Sequence, residues 1–235
     1  MSVDAVGERL ICALDCEDGA EAKAMVERLD GIVSFFKVGI ILQAAAGREV
    51  VDHLLERGKR VFLDLKYYDI PETVERAVAR AAALGVSFLT VHGNAAIIRG
   101  AVRGRGDAGL KLLAVTVLTS LDQEDIEDMG YGCRLEELVA HRVRKAREYG
   151  CDGVICSPRE IETVRREAGG GFLVVTPGIR TELGEGEEHR RFAGPGEAMR
   201  RGADYIVVGR PITRAPDPAR AALEIIEDMR AGLSA

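Results

Sequence analysis

The sequence contains no tryptophan, and only six of its 32 lysine and arginine residues are lysine. Arginine is therefore the default cation, and each lysine position calls for a reason. A guanidinium stays protonated at any working pH, whereas burial and neighbouring charge can tune an ammonium toward proton transfer. Histidine is scarce too. His53, His92, His141 and His189 show no His-x-x-x-His spacing, so the pattern of a helical zinc protease is missing. The five cysteines, Cys12, Cys16, Cys133, Cys151 and Cys156, include no Cys-x-x-Cys pair, and their odd number fits reduced thiols better than a disulfide framework. No metal is expected.

The chain also lacks an excess of positive charge. A formal charge of −6 gives no general basic surface, so a nucleic-acid partner is not expected. No apolar run is long enough to span a bilayer, and residues 1–9 lack the apolar region of a signal peptide, which points to a cytoplasmic protein without a membrane partner. No Pro/Ser-rich or low-complexity stretch divides the chain, and 47% hydrophobic composition can supply a substantial core. A single domain over 1–235 is expected.

What the chain does contain is a repeated alternation of short apolar runs and amphipathic segments. Strands are expected at 10–14, 32–38, 61–66, 87–91, 110–118, 153–156, 172–176 and 205–209. Helical spacing follows each run: Ala22, Met25, Val26 and Leu29 after the first, Val50, Val51, Leu54 and Leu55 after the second, and Ala222, Leu223, Ile226 and Met229 facing inward at the end. Ser157-Pro158 reads as an N-cap followed by a first-turn proline. Strands separated by helices pair in parallel, and eight such units favour a closed (β/α)8 TIM barrel. The alternative is an open doubly wound sheet, but Asp15-Cys16-Glu17-Asp18-Gly19 after the first strand lacks a dinucleotide glycine fingerprint.

A barrel gathers the C-terminal ends of its strands on one rim, where sites of this fold lie. Those ends carry Asp15, Lys37, Asp64 and Lys66, then His92 and Asn94, Thr119 and Ser120, Ser157, Pro177-Gly178-Ile179-Arg180, and Gly209-Arg210. The opposite ends carry Lys59, Lys111 and Asp204, which read as solvated charge. In the third unit, strand period turns Phe62, Asp64 and Lys66 to one face; Asp69 follows beyond the strand, and Pro71 opens a helix. An Asp-x-Lys pair can be a mere ion pair at a strand end, but a lysine kept in an arginine-rich chain suggests proton chemistry. Gly209-Arg210 and Arg180, on the last two strands, suggest a phosphate grip, since these strands form the usual phosphate position in barrels.

Three segments taken together, Asp64-x-Lys66-x-x-Asp69-Ile70-Pro71-x-Thr73, Val175-Thr176-Pro177-Gly178-Ile179-Arg180 and Val207-Val208-Gly209-Arg210-x-Ile212-Thr213, resemble the orotidine 5′-phosphate decarboxylase family nearly end to end. The Asp-x-Lys-x-x-Asp core alone is shared with sugar-phosphate decarboxylases and synthases of the same barrel group. The Ile-Pro-x-Thr continuation and the Pro-Gly-Ile-Arg turn point to the nucleotide enzymes.

The resemblance implies cofactor-free decarboxylation of orotidine 5′-monophosphate to UMP in pyrimidine biosynthesis. By matching position, Lys66 stabilises and protonates a carbanion at C6, Asp64 lies near the departing carboxylate, and Lys37 and Asp69 complete an alternating array of charges. It implies that Asp15 and Lys37 hold the ribose, that Thr119 sits near the pyrimidine edge, and that Arg180, Gly209 and Arg210 bind phosphate, with Ile70 and Pro177 among the substrate-binding residues. Asp69 and Thr73 are implied to reach the neighbouring subunit's site in a homodimer. One departure stands out. Where the family has a phosphate-loop glutamine, this chain has His189 within Glu187-Glu188-His189-Arg190-Arg191, and Gly194-Pro195 replaces Thr-Pro. His189 is then either a phosphate donor or part of a solvated loop; imidazole cannot both donate and accept as an amide does.

Two other readings remain. A sugar-phosphate decarboxylase or aldolase would want a metal and further rim acids, but Glu160 and Glu162 read as helical. A catalytically inactive phosphate-binding barrel would not need Lys66 and its partners.

Overall fold

Why the chain breaks where it does is visible at each junction of strand and helix. The computed structural model describes residues 4–180 and 192–234. After a 3-10 turn over Gly7–Arg9, β1 (Leu10–Leu14) is buried along its whole length. The Asp18 side chain then accepts from the Glu21 N–H at 2.8 Å and starts α1 (Gly19–Arg28), satisfying an amide that the helix leaves unpaired. The next units are β2 (Phe35–Gly39) with α2 (Ile40–Glu56), β3 (Arg60–Tyr67) with α3 (Pro71–Ala83), and β4 (Phe88–His92) with α4 (Ala95–Arg105). β5 (Lys111–Val115) is followed by α5 (Gln123–Asp128) and α6 (Leu135–Glu148), and β6 (Gly153–Ile155) by α7 (Ile161–Ala168). Last come β7 (Leu173–Thr176), α8 (Pro195–Arg200), β8 (Tyr205–Val208), α9 (Arg210–Thr213) and α10 (Pro218–Ser234).

The strands form a closed parallel barrel in sequence order. Closure is made by β1 against β8, with Leu10 opposite Ile206 and Cys12 opposite Val208. This is the (β/α)8 TIM barrel that the repeated units predict, and the open-sheet alternative is excluded. None of the described helices is long and apolar enough to cross a membrane.

Two separate cores follow from strand alternation. Ile11, Phe35, Phe62, Phe88, Leu113, Val175 and Val207 fill the barrel, while Cys12, Leu14, Phe36, Leu63, Leu89 and Val174 face the helices. Phe35 and Phe88 meet edge to face at 4.9 Å, Tyr205 packs on Phe88 at 5.2 Å, and the Arg60 guanidinium lies 4.4 Å over Phe35. Truncating Phe35 to alanine would cost about 3–5 kcal/mol on this packing. The aromatic plug closes the barrel floor, so the hollow end lies at the C-terminal rim.

Several expectations are corrected. The fifth strand stops at Val115 rather than 118, because the Arg142 guanidinium takes the Thr116 carbonyl while the Thr116 hydroxyl donates to the Ile155 carbonyl at 3.0 Å. α2 begins at Ile40, immediately after the strand. Leu223 is exposed, since the inner stripe of α10 runs Ala222, Ile225, Ile226 and Met229 at helical spacing. Of the floor charges, Lys111 is exposed as expected, whereas the Lys59 side chain is only 10% exposed and pairs with Asp30 at 2.5 Å, and Asp204 accepts from Arg165 and from the Val174 N–H, both at 2.8 Å.

Candidate active site at the C-terminal rim

Three adjacent strands place four charges in a row. Asp15 follows β1, Lys37 is the third residue of β2 with its partner position at Phe62, and Asp64 lies in β3 opposite Gly39. Lys37 Nζ lies 2.8 Å from Asp15 Oδ1 and 3.9 Å from Asp64 Oδ2, while Lys66 Nζ lies 2.9 Å from Asp64 Oδ1. The Lys37 and Asp64 side chains are only 10% and 16% exposed, and each has a closer opposite charge, Asp15 at 2.8 Å for Lys37 and Lys66 at 2.9 Å for Asp64. Alternation of sign gives the two less exposed charges, Lys37 and Asp64, partners in the more exposed Asp15 and Lys66.

Gly39 makes room for them. A Cβ at this position would lie 2.9 Å from Lys37 Nζ and 3.3 Å from Asp15 Oδ1.

Lys66 reaches the array by a route that simple alternation does not foresee. Its φ of 47° is the only left-handed value at a non-glycine among the described residues. The β3–β4 ladder runs Leu63 opposite Leu89 and then Tyr67 opposite Val91, so β3 spends four steps where β4 spends two. The strand is therefore bulged at Lys66, and regular period is not what sets Lys66 beside Asp64. A left-handed lysine costs on the order of 1–3 kcal/mol, and such strain persists where surrounding contacts hold it.

One of those contacts is Thr90, which the sequence reading missed. Its hydroxyl accepts from the Lys66 N–H at 2.9 Å and donates to Asp64 Oδ1 at 2.9 Å, fully buried. A signal existed: Thr90 shares inward parity with Phe88, so β4 presents a hydroxyl next to Asp64. Gly39 offered a weaker signal, as a glycine two residues beyond Lys37 on the same face.

A cavity of about 320 Å³ opens beside the array. Asp15, Lys37 and Asp64 line it together with Pro177, Gly178, Arg180, Gly209 and Arg210. The loop after β7 is braced by the Arg180 N–H donating to the Ala193 carbonyl at 3.0 Å and the Ala193 N–H donating to the Gly178 carbonyl at 3.3 Å. The Arg180 guanidinium lies 4.7 Å over the Phe192 ring. A lining with charges of both signs and two arginines suits a polar ligand that carries an anionic group.

Other expected site residues lie elsewhere on the rim. Asp69 is exposed and its carboxylate accepts from the Ile70 N–H at 2.6 Å. Ile70 is exposed, and Thr73 is half-buried in the first turn of α3. Thr119 is half-buried in the loop after β5; its neighbour Leu118, with Tyr68, His92, Met129, Tyr131 and Arg142, lines a second cavity of about 270 Å³. None of Asp69, Ile70, Thr73 and Thr119 lines the first cavity, and Lys66 meets it only through its contact with Asp64. His189 falls outside the described residues. Glu160 stands one turn beyond β6 in a 3-10 turn, where its carboxylate accepts from the Ser157 N–H at 3.0 Å as a cap.

His92 Nδ1 is 2.8 Å from Asn94 Oδ1, and the Tyr68 ring stacks on the imidazole at 4.5 Å. Burial pushes the His92 pKa below its ordinary value of 6.5; the Asn94 contact opposes this and the nearby Arg142 charge adds to it. Buried Cys12 and Cys151 thiols are pushed up to about 12, mainly by burial, and have no nucleophilic character at neutral pH. Among the described residues, no three His, Cys, Asp or Glu side chains converge as a metal site.

The family model for "Orotidine 5′-phosphate decarboxylase / HUMPS family" matches residues 8–225. The chain belongs to this family. Family relatives include orotidine 5′-phosphate decarboxylase of Nitrobacter winogradskyi, 50% identical over 226 residues and covering 96% of this chain and 94% of the relative. That of Methylococcus capsulatus is 49% identical over 219 residues, covering 92% and 90%. In structure, the chain is similar to orotidine 5′-phosphate decarboxylase from Lactobacillus acidophilus, with a TM-score of 0.83, 35% identity, and coverage of 97% of this chain and 100% of that one. The relatives are carboxy-lyases by reaction class, and the family brackets the described barrel from just before β1 into α10.

Proposed function

We propose that this chain converts orotidine 5′-monophosphate to UMP and CO2 in pyrimidine biosynthesis, without a cofactor. The observation that carries the reading is the run Asp15–Lys37–Asp64–Lys66, with successive contacts of 2.8, 3.9 and 2.9 Å, whose first three members line a cavity together with Arg180 and Arg210. The relatives named above supply the substrate.

The chemistry breaks the bond between C6 and its carboxylate carbon, leaving the electron pair on C6 in the plane of the pyrimidine ring. That pair cannot delocalise into the ring's π system, so stabilisation must come from charge fixed in advance. Lys66 supplies it: its ammonium faces the developing negative charge and then donates a proton to C6, giving UMP as CO2 leaves. Asp64 holds the ammonium, and Lys37 on the opposite carboxylate oxygen holds Asp64. Asp15 and Lys37 take the ribose hydroxyls, Thr119 the pyrimidine edge, and Arg180, Gly209 and Arg210 the phosphate, with Pro177 against the ligand and His189 assigned to the phosphate loop. Phosphate contacts lie far from the reacting carbon; their binding energy serves to order the charge array.

The active form is a homodimer with shared sites, in which Asp69 joins the partner's charge array and Thr73 and Ile70 contact the partner's ligand. Supporting this, Asp69 is exposed, and Tyr68, Ile70 and Met129 on the same rim are 65%, 63% and 59% exposed. A cluster of large apolar side chains left in water marks an association surface.

The direct test is loss of orotidine 5′-monophosphate absorbance on mixing with chelator-treated protein. Undiminished turnover is expected. Turnover of a sugar phosphate only after metal is restored would overturn the reading.

A further inference from the structure

Among the charged groups of the rim there is one neutral residue that touches both the backbone and, through one intermediary, the ammonium of Lys66. Thr90 Oγ1 accepts the Lys66 N–H at 2.9 Å and donates to Asp64 Oδ1 at 2.9 Å, and the same Asp64 oxygen receives Lys66 Nζ at 2.9 Å. A hydroxyl has one hydrogen. The Asp64 carboxylate can only accept, so that hydrogen points at Asp64 and a hydroxyl lone pair takes the Lys66 N–H, which determines the polarity of the contact. The contacts close a ring that begins and ends on Lys66.

From this we infer that Thr90 is a positioning residue for decarboxylation: it fixes the direction of the Lys66 ammonium by holding the left-handed backbone of Lys66 and the carboxylate that orients its tip. The inference rests on the reading of Lys66 as the proton donor. Three features support a role beyond filling space. The contact falls where the β3–β4 ladder is broken, between the Leu63–Leu89 and Tyr67–Val91 pairs, so no strand amide or carbonyl there does the same task. The φ of 47° at Lys66 needs a local restraint. Thr90 is fully buried, so water cannot replace its hydroxyl.

A purely structural hydroxyl would affect stability and leave turnover per folded molecule alone. A positioning hydroxyl acts on the chemical step, because a small misplacement of a reacting group lowers rate without removing the ligand's own contacts.

The experiment compares Thr90→Val, which keeps the shape and removes the hydroxyl, with Thr90→Ser, which keeps the hydroxyl, and with Lys66→Ala. For Thr90→Val the expected result is a kcat lower by on the order of 10-fold with KM and UMP affinity within about 2-fold of wild type, and for Thr90→Ser a return to within about 3-fold. Where Thr90→Val does not fold, as judged by circular dichroism, Thr90→Ala is read in its place. Wild-type kcat in the folded hydroxyl-free variant, or equal losses in the serine and valine variants, would overturn the inference while an inactive Lys66→Ala leaves the proposed function intact. Turnover by Lys66→Ala would instead sink the proton-donor reading on which the inference rests.

Discussion

Lys37 and Lys66 address opposite oxygens of one carboxylate, Asp64 Oδ2 at 3.9 Å and Oδ1 at 2.9 Å. Neither ammonium can shift without changing the field at the other. Removing Lys66 should therefore abolish turnover yet preserve nucleotide binding, because the arginines lining the cavity stay in place. Lys66→Ala and Asp69→Asn should each be inactive alone. If the sites are shared, mixing the two under subunit exchange should restore about one quarter of wild-type activity, since half of the dimers are mixed and each has one complete site. No recovery in mixtures shown to contain mixed dimers would separate Asp69 from the partner's site.

Arg210 lines the cavity and in the proposed reading holds the phosphate rather than the reacting groups. Arg210→Ala should raise KM by about 10- to 100-fold, the loss of a charge-assisted contact to phosphate. Steady-state kinetics with orotidine 5′-monophosphate test this, and an unchanged KM contradicts the phosphate assignment.

Gly39 tests the array from a position that bears no functional group. Its φ of −95° is open to any residue, so alanine brings no backbone strain, and any cost to stability comes from displacing one flexible side chain rather than from the backbone. The added methyl would nevertheless start 2.9 Å from Lys37 Nζ, with the Asp15 carboxylate close behind. Displacement of the ammonium should lower kcat/KM by up to about 100-fold. Denaturation and kinetic measurements on Gly39→Ala should thus diverge; parallel changes would show that the glycine serves folding alone.

Protonation of His92 should destabilise the fold. Its pKa is depressed in the folded chain, mainly by burial, so the folded state favours the neutral ring. The resulting stability is present above the unfolded value near 6.5 and is lost as pH falls from there through the folded value. Unfolding midpoints in urea should fall between pH 7.5 and pH 5.5, and His92→Gln should show a smaller fall (the pH values chosen to bracket about 6.5). An equal fall in the variant would place the sensitive group elsewhere.

Much of the barrel is legible because its cause is local. Buried parallel strands must be apolar on both faces, and eight such runs each lead into a 3.6-residue stripe. Where tertiary contacts intervene, boundaries move: Arg142 draws off the Thr116 carbonyl and ends β5 early. Leu223 was misplaced because its neighbours Ala222 and Ile226 leave the choice of stripe ambiguous until Ile225 is seen to be buried. In the site, acids and lysines at strand ends stand out by charge, whereas Thr90 and Gly39 do not. A buried hydroxyl or a missing methyl acquires meaning only from what lies beside it.

By itself the sequence determined the repeating strand and helix units, the choice of lysine over arginine at positions 37 and 66, and the rim on which Asp15, Lys37, Asp64 and Lys66 assemble, since residue chemistry and strand period are properties of the chain. Tertiary structure alone decided the contacts within that rim. The bulge that turns Lys66 to a φ of 47° arises from unequal steps in two neighbouring strands, and the Thr90 hydroxyl that holds it sits 24 residues away along the chain. Such relationships depend on register between strands, which no pattern within one strand encodes.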